Sequence, residues 1–149
     1  MENIVSRGIR NKNPFNIEWS RSNTWLGQRG SDGRFCIFDT IDHGVRAGLL
    51  LLMNYYTKYR LDTPFLVLHR FCPDGTIGSY LENIRVLSGY ELDSDTKLNS
   101  LYYWLLLAHQ MLLVESGYNL SIIDLYHVYG SLPKNKRPFP LDWDSIKFT

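Results

Sequence analysis

A long apolar segment in the last third of the chain constrains the fold more than any other feature. The run "LYYWLLLAHQMLLVESG", residues 101–117, is apolar on almost every side of a helix, which is typical of a helix buried on all sides. Gly117 is a good C-terminal breaker, and we predict a helix over about residues 95–116. A chain of 149 residues forms one core of useful size. We therefore predict a single domain, 1–149, with this helix through its centre.

Four further helices are predicted from apolar positions at helical spacing and from their capping residues. Thr40 is a suitable N-cap for a helix over about residues 41–60. Thr63 followed by Pro64 begins a short helix that ends near Pro73. The remaining two lie in "TIGSYLENIRVLSGY", closed by Gly89, and in "SIIDLYHVYG", capped by Asn119 or Ser121.

The N-terminal segment is predicted to hold a small β element. Asp32 and Gly33 form a turn signal, and the aromatic run from Phe35 to Phe38 is β-prone. Its partner strand is expected from "TWLGQ" or "FNIEW". The predicted fold class is α+β and mostly helical, with a loop and β element over 6–40, a helical core over 41–130 and a proline-rich extended tail over 131–149. Phe139, Trp143 and Phe148 are the expected anchors of that tail.

Composition excludes several classes of function. The net charge is +1, from 16 basic and 15 acidic residues, so a dedicated nucleic-acid binder is disfavoured. The apolar runs are too short to span a bilayer, and no association with membranes is expected. The histidines and cysteines lack ligand spacing, so we predict no metal and no cofactor. The two cysteines, Cys36 and Cys72, are predicted to be buried thiols.

Two further expectations concern the chain as a whole. Residues 1–10 lack the apolar stretch of a signal peptide, so we expect synthesis in the cytoplasm and, for a target in the cell wall, delivery by a virion or another route. A monomer is the expected oligomeric state.

Glu115, at the end of the long helix, is the strongest candidate catalytic residue. It continues a stripe of apolar residues at three- and four-residue steps, formed by Leu101, Leu105, Ala108 and Leu112. Burial and the negative end of the helix dipole both disfavour a charged carboxylate, which predicts a raised pKa. A carboxyl group that stays protonated near neutral pH can act as a general acid. The alternative is a terminal Glu that simply turns into solvent.

The opening segment "SRGIRNKNPFNI", residues 6–17, is rich in amide and guanidinium groups. These groups can satisfy the backbone of an irregular N-terminal wrap. Together with Trp19 and Trp25, they also suit sugar recognition, which needs directional hydrogen bonds and aromatic faces.

The motifs "RGIRNKNPFNIEW", "WLGQ", "DGRFCIFDTIDHGVRAGLLLLMNYY", "YLENI" and "VESG" resemble a family of bacteriophage virion proteins with an Arg-Gly-Ile-Arg-Asn-Asn-Asn-Pro-Gly-Asn-Ile opening. The resemblance covers about residues 6–118. Two departures are Phe15, where the family has Gly, and "RFCPDG", where the family has a Trp-Ala-Pro stretch. Phe15 is expected to alter a turn that would tolerate positive φ.

This family looks like a relative of the lysozyme and lytic-transglycosylase superfamily. The resemblance implies a lysozyme-like fold, circularly permuted because the Asn-Pro-x-Asn-Ile segment precedes the catalytic helix here. It implies peptidoglycan glycan strands as the substrate, with Glu115 as general acid and base. The residues expected to bind the substrate are Arg10, Asn11, Asn13, Asn16 and Ser116.

Two questions of mechanism stay open at this level. Glu18 and Asp39 are the candidates for a second carboxylate, which a hydrolytic glycosidase would need. Lytic transglycosylases work with one Glu and form an anhydro ring from the substrate's own hydroxyl, and this is the reading we favour. The alternative function is a non-catalytic virion or glycan-binding protein that keeps the fold.

Overall fold

The computed structural model describes residues 5–72 and 75–146 and confirms the predicted α+β, mostly helical class. A small two-stranded antiparallel sheet near the N-terminus precedes the main helices. The elements in chain order are α1 (Arg7–Arg10), β1 (Gln28–Ser31), β2 (Cys36–Phe38), α2 (Ile41–Tyr59), α3 (Pro64–Phe71), α4 (Ile77–Leu87), α5 (Leu101–Ser116), α6 (Ile122–Gly130) and two 3-10 turns, Lys134–Lys136 and Trp143–Ser145.

Helix α5 forms the centre of the core, as predicted. Ten of its sixteen residues are buried, and it contacts α1, α4 and α6. Trp104 is fully buried; its indole N–H donates to the carbonyl of Leu98 at 2.9 Å, and its ring meets Tyr56 of α2 edge to face. The burial of both the apolar body and the polar N–H makes Trp104 a fixed point of the core.

The capping predictions for three helices are confirmed. The hydroxyls of Thr40, Thr63 and Ser121 accept hydrogen bonds from backbone N–H groups in the first turns of α2, α3 and α6. Pro64 occupies the first turn of α3, where its missing N–H costs nothing. The predicted stop at Pro73 lies outside the described residues.

The predicted start of the central helix is wrong by about six residues. The helix begins after Ser100, whose hydroxyl caps Tyr103 N–H. Before it, the Asp93 carboxylate accepts from Asp95 N–H and the Thr96 hydroxyl accepts from Asp93 N–H. These local side-chain bonds compete with a helix and hold the segment in turns.

Both segments proposed as the partner of the aromatic strand contribute to the β element. Strand β1 pairs with β2 in antiparallel register, Gln28 opposite Phe38, with an irregularity after Gln28. Glu18 of the other segment forms an isolated bridge with Phe35. The connecting turn is closed by the Asp32 carboxylate, which accepts from the N–H groups of Arg34 and Phe35.

The N-terminal segment is more ordered than its composition indicates, because residues 7–10 form the short helix α1. The loop that follows packs on a face of α2 that lacks side chains. A Cβ at Gly44 would meet the carbonyl oxygen of Lys12, and a Cβ at Gly48 would meet the ring of Phe15. Phe15 is buried, and positive φ angles occur at Lys12 and Asn16 instead. Phe15 itself does not adopt a positive φ, so this loop does not require a glycine at that position.

The tail is less extended than predicted, since it contains the two 3-10 turns. Phe139 stacks on Tyr56 at a ring distance of 5.1 Å, and Trp143 packs against Tyr126 and His127 while remaining exposed. Phe148, the third predicted anchor, lies outside the described residues. Among the residues that the structure describes, every helix is too short or too polar to cross a membrane.

Candidate active site

Glu115 lies in the last turn of α5 and is half-buried at the wall of an open cleft. The buried stripe beneath it consists of Leu101, Leu105, Ala108 and Leu112, as the helical spacing predicts. Gly117 follows with a φ of 73° and ends the helix, so the chain turns away directly after the carboxylate.

Asn16 connects the opening segment to Glu115 across 99 positions of sequence. Its side-chain amide donates to the backbone oxygen of Glu115 at 3.0 Å and to the carboxylate Oε1 at 3.1 Å. Asn16 adopts a φ of 54°, a left-handed conformation that Asn tolerates better than most residues. The amide therefore satisfies a terminal carbonyl of α5 and holds the carboxylate at the same time.

A buried tyrosine, Tyr80 of α4, lies beside the same carboxylate. Its side chain is 5% exposed, and its hydroxyl has no hydrogen bond of good geometry within the described residues. Burial raises the pKa of Tyr80 well above its usual value, and the nearby Glu115 carboxylate raises it further. The hydroxyl therefore stays protonated and is a potential donor toward Glu115.

The cleft in front of Glu115 has a volume of about 410 Å³. Three parts of the chain form it: the loop and hairpin of the β element, the end of α3 with the adjacent face of α2, and the end of α5. Its polar lining residues are Asn16, Glu18, Asn23, Arg34, Arg70 and Glu115; its apolar ones are Ile17, Trp25, Leu51, Tyr55, Phe35, Phe71 and Cys72. None of the described tail residues, 131–146, is among them.

Three side chains that were expected to bind the substrate form internal hydrogen bonds. Asn13 is fully buried; its amide donates to the carbonyls of Ile17 and Cys36 and its oxygen accepts from Ile17 N–H. Asn11 is also buried and donates to Asp32. The Ser116 hydroxyl donates back to Leu112 in its own helix. Asn11 and Asn13 therefore do not line the groove, and Ser116 also lies outside the cleft lining.

Arg10 and Trp19 lie outside the cleft lining, whereas Trp25 is part of it. Arg10 is exposed at the end of α1 and is not part of the cleft lining. Of the two tryptophans proposed for stacking, Trp25 lines the cleft but is only 9% exposed, whereas Trp19 is exposed outside that lining.

The structure separates the two candidates for a second carboxylate. Glu18 lines the same cleft as Glu115 and forms an ion pair with Arg34 at 3.0 Å. Asp39 lies outside that lining, 2.6 Å from the His43 imidazole, and this hydrogen bond lowers the pKa of Asp39. His43 belongs to a second hollow of about 770 Å³ between α2 and α6. Only Glu18 thus shares the cleft with Glu115.

Asp32 joins the turn of the β hairpin to helix α1 and the residue that follows it. Its carboxylate accepts from Arg7 at 2.6 Å and from Asn11 at 2.9 Å, in addition to the two N–H groups of its turn. The Arg7 guanidinium and these other donors hold the pKa of Asp32 far below its usual value. The turn is therefore fastened to α1 by a charged group.

The two thiols differ in their burial and in their distance from the cleft. Cys36 is buried as predicted, and burial raises its pKa. Cys72 is half-buried rather than buried, lines the cleft, and has its Sγ 3.1 Å from the Thr76 hydroxyl. Within residues 5–72 and 75–146, His, Cys, Asp and Glu side chains form no group of three that could hold a metal ion.

Sequence reasoning did not select Tyr80 or Arg70 for the site. Tyr80 continues an apolar helical stripe with Ile77 and Ile84, and its pattern alone indicates a core residue. Arg70 follows an apolar run in a short helix, and only the approach of α2 brings it to the cleft. The sequence signal for a site near α2 was the pair Tyr55 and Tyr59. Residues four apart share a helix face, so the two rings lie side by side.

Comparison with known proteins gives one indication of origin. No protein-family model matches the chain. Protein P5 of Pseudoalteromonas phage PM2 is 36% identical over 76 residues, which are 48% of this chain and 48% of protein P5. The match thus spans about half the length of this curated relative. Over about half of its length, the chain is similar to a bacteriophage protein.

Proposed function

We propose that the protein cleaves the glycan strands of bacterial peptidoglycan, with Glu115 as the general acid and base. The observation that carries the proposal is a half-buried carboxylate at the end of the core helix, held by Asn16 at the wall of an open cleft. Tyr80 supports Glu115 from the buried side. At the wall of the cleft, the carboxyl group is positioned to exchange a proton with a bound substrate.

In the proposed reaction Glu115 first donates a proton to the substrate and then receives one from it. Glu115 gives its proton to the glycosidic oxygen that joins N-acetylmuramic acid to N-acetylglucosamine. The bond between that oxygen and the anomeric carbon of N-acetylmuramic acid breaks at the same time. The 6-hydroxyl of the same N-acetylmuramic acid then attacks that carbon and returns its proton to the Glu115 carboxylate. The products are a new sugar end and a 1,6-anhydro end, and water is not consumed.

The choice between this reaction and hydrolysis depends on whether a second carboxylate acts beside Glu115. A hydrolytic glycosidase of the usual kind needs a second carboxylate as nucleophile or as base for water. Glu18 shares the cleft, but its Oε1 accepts from both Nε and a terminal nitrogen of Arg34. Asp39 is bonded to His43 away from the cleft lining. Both side chains of the Glu18–Arg34 pair are exposed, and a weak ion pair of this kind leaves Glu18 as the carboxylate to test for hydrolysis. The one-carboxyl reaction is the one we propose, because the family resemblance implies it.

We also propose a relation to the lysozyme superfamily in circularly permuted order, in a virion-associated protein. The support is the contact between the Asn-Pro-Phe-Asn-Ile loop and the end of α5, through Asn16 and Glu115, although the loop comes first in the chain. Similarity to a phage protein over half the chain is consistent with action on a host cell wall during infection.

A non-catalytic glycan-binding or structural role is the competing function. It is favoured by the use of Asn11, Asn13 and Ser116 in internal hydrogen bonds, which leaves fewer polar groups for a sugar chain than the motif implies. A protein of this kind would bind sacculi and release nothing from them.

The test is clearance of purified peptidoglycan by wild-type protein and by Glu115→Gln. Gln keeps the size of the side chain and an oxygen for the Asn16 amide but cannot donate an acidic proton, so the rate should fall by at least about 100-fold. Glu82→Gln is the matched control, because Glu82 is exposed on α4 and pairs with Arg85; its rate should be unchanged.

Two results would count against the proposal. Clearance by a folded Glu115→Gln protein at the wild-type rate would remove Glu115 from the chemistry. Binding of sacculi without any clearance by the wild-type protein would establish the non-catalytic role.

A further inference from the structure

Arg70 is held at the wall of the cleft by two tyrosines of the neighbouring helix. It lies in the last turn of α3, where the negative end of the helix dipole favours a cation. Its guanidinium carbon is 3.7 Å from the ring centre of Tyr59 and 5.6 Å from that of Tyr55. Tyr55 and Tyr59 are four residues apart and share one face of α2.

This arrangement orders the guanidinium without using its hydrogen-bond donors. A planar guanidinium that stacks on an aromatic face keeps its N–H groups directed outward in its own plane. Those N–H groups form the fork that binds a carboxylate through two parallel bonds. Tyr55 is buried, and burial raises its pKa to about 12 despite the opposing effect of the Arg70 charge.

Arg34, the other arginine in the cleft lining, differs from Arg70 in the use of its hydrogen-bond donors. Arg34 stacks on Phe35 but donates two hydrogen bonds to Glu18. Arg70 forms no hydrogen bond and no ion pair within the parts of the chain that the structure describes. The cleft therefore presents one ordered cation whose donors are not used by an acidic side chain.

We infer that Arg70 binds a carboxylate carried by the glycan and so makes the cleft selective for acid-bearing strands over neutral ones. The inference rests on the proposed function, since it names the substrate feature read by the same cleft. The carboxylate has two possible sources in peptidoglycan: the stem peptide, or the lactyl arm of a muramic acid from which the peptide has been removed.

The test measures equilibrium binding in the Glu115→Gln background, so that glycan is not consumed. The probes are soluble peptidoglycan strands with stem peptides, the same strands stripped by an amidase, and a chitin oligosaccharide as the neutral ligand. Arg70→Gln should weaken binding of acid-bearing strands by about fivefold, the scale of an exposed ion pair, and leave chitin binding unchanged. Arg70→Lys, which keeps the charge but loses the planar fork, should fall between the two.

Arg85→Gln is the matched control. Arg85 also stacks on a tyrosine, Tyr90 at 4.7 Å, but it lies on α4 outside the cleft lining. A loss confined to peptide-bearing strands assigns the stem peptide as the source, and a loss confined to stripped strands assigns the lactyl carboxylate; both support the inference.

Two results would overturn the inference. One is that Arg70→Gln leaves the affinity for every probe unchanged in the Glu115→Gln background, and the other is that it weakens binding of acidic and neutral probes equally. Failure of the proposed function is a separate outcome. Protein that binds acidic strands through Arg70 but does not cleave them contradicts catalysis alone, whereas Glu115-dependent cleavage without an effect of Arg70 contradicts the selectivity alone.

Discussion

Replacement of Asn13 by Ala should cost the protein about 2–5.5 kcal/mol of its free energy of unfolding. Ile17 N–H loses its acceptor, and an unpartnered buried N–H costs about 1–3 kcal/mol. Loss of the two bonds to the carbonyls of Ile17 and Cys36 removes a further ~0.5–1.5 kcal/mol each. The Ile17 carbonyl keeps the N–H of Cys36 as a donor, so it is not orphaned and the lower half of the range applies to it.

Urea denaturation followed by tryptophan fluorescence measures this loss as a shift of the midpoint at unchanged slope. Asn23→Ala is the control, since Asn23 is exposed in the cleft lining and its replacement should change stability by less than about 0.5 kcal/mol. An Asn13→Ala protein as stable as wild type, but with weaker glycan binding, would refute the structural role and restore Asn13 as a substrate-binding residue.

Three other substitutions test separate parts of the account. Gly48→Ala should destabilise by about 1–3 kcal/mol in thermal melts, because the added methyl group meets the buried ring of Phe15, and overpacking outweighs the gain of up to ~1 kcal/mol in helix propensity; equal or higher stability would show that the loop moves freely. Asp32→Asn should lower stability most near neutral pH: the folded pKa of Asp32 is depressed, so its contribution is present above its unfolded pKa of about 3.9 and is lost as pH falls. The difference between variant and wild type should therefore shrink below about pH 4 in denaturation measured across pH, and a constant difference would contradict the ionic role. Glu18→Gln should keep more than about a tenth of the wild-type clearance rate if one carboxyl group performs the reaction, whereas a loss of about 100-fold or more would indicate two-carboxylate hydrolysis.

The helices could be predicted because their signals are local. Thr40, Thr63 and Ser121 each cap a helix that their neighbouring pattern indicates. Two exceptions are α1, which lies in a segment predicted as loop, and the start of α5, which was predicted about six residues too early. At both places local side-chain hydrogen bonds decide the outcome: Ser6 caps α1, and Asp93 and Thr96 hold turns before α5.

The position of Glu115 could be predicted from the sequence, because helical spacing places it above the buried stripe at the end of α5. Its role as a catalytic group remains a prediction. The three asparagines of the opening segment look alike in sequence, yet Asn16 reaches Glu115 while Asn11 and Asn13 hold the loop. Their roles depend on the packing of the loop against β2 and the glycine face of α2, which is long-range and not encoded in residue type.

Mass spectrometry of muropeptides, after purified peptidoglycan is incubated with the protein, tests the central claim most directly. The account predicts 1,6-anhydro-N-acetylmuramic acid ends released by wild-type protein and by Glu82→Gln, and at least about 100-fold fewer with Glu115→Gln. Reducing ends in their place would contradict the single-carboxyl reaction. No change in the muropeptides, with protein bound to the sacculi, would contradict catalysis altogether.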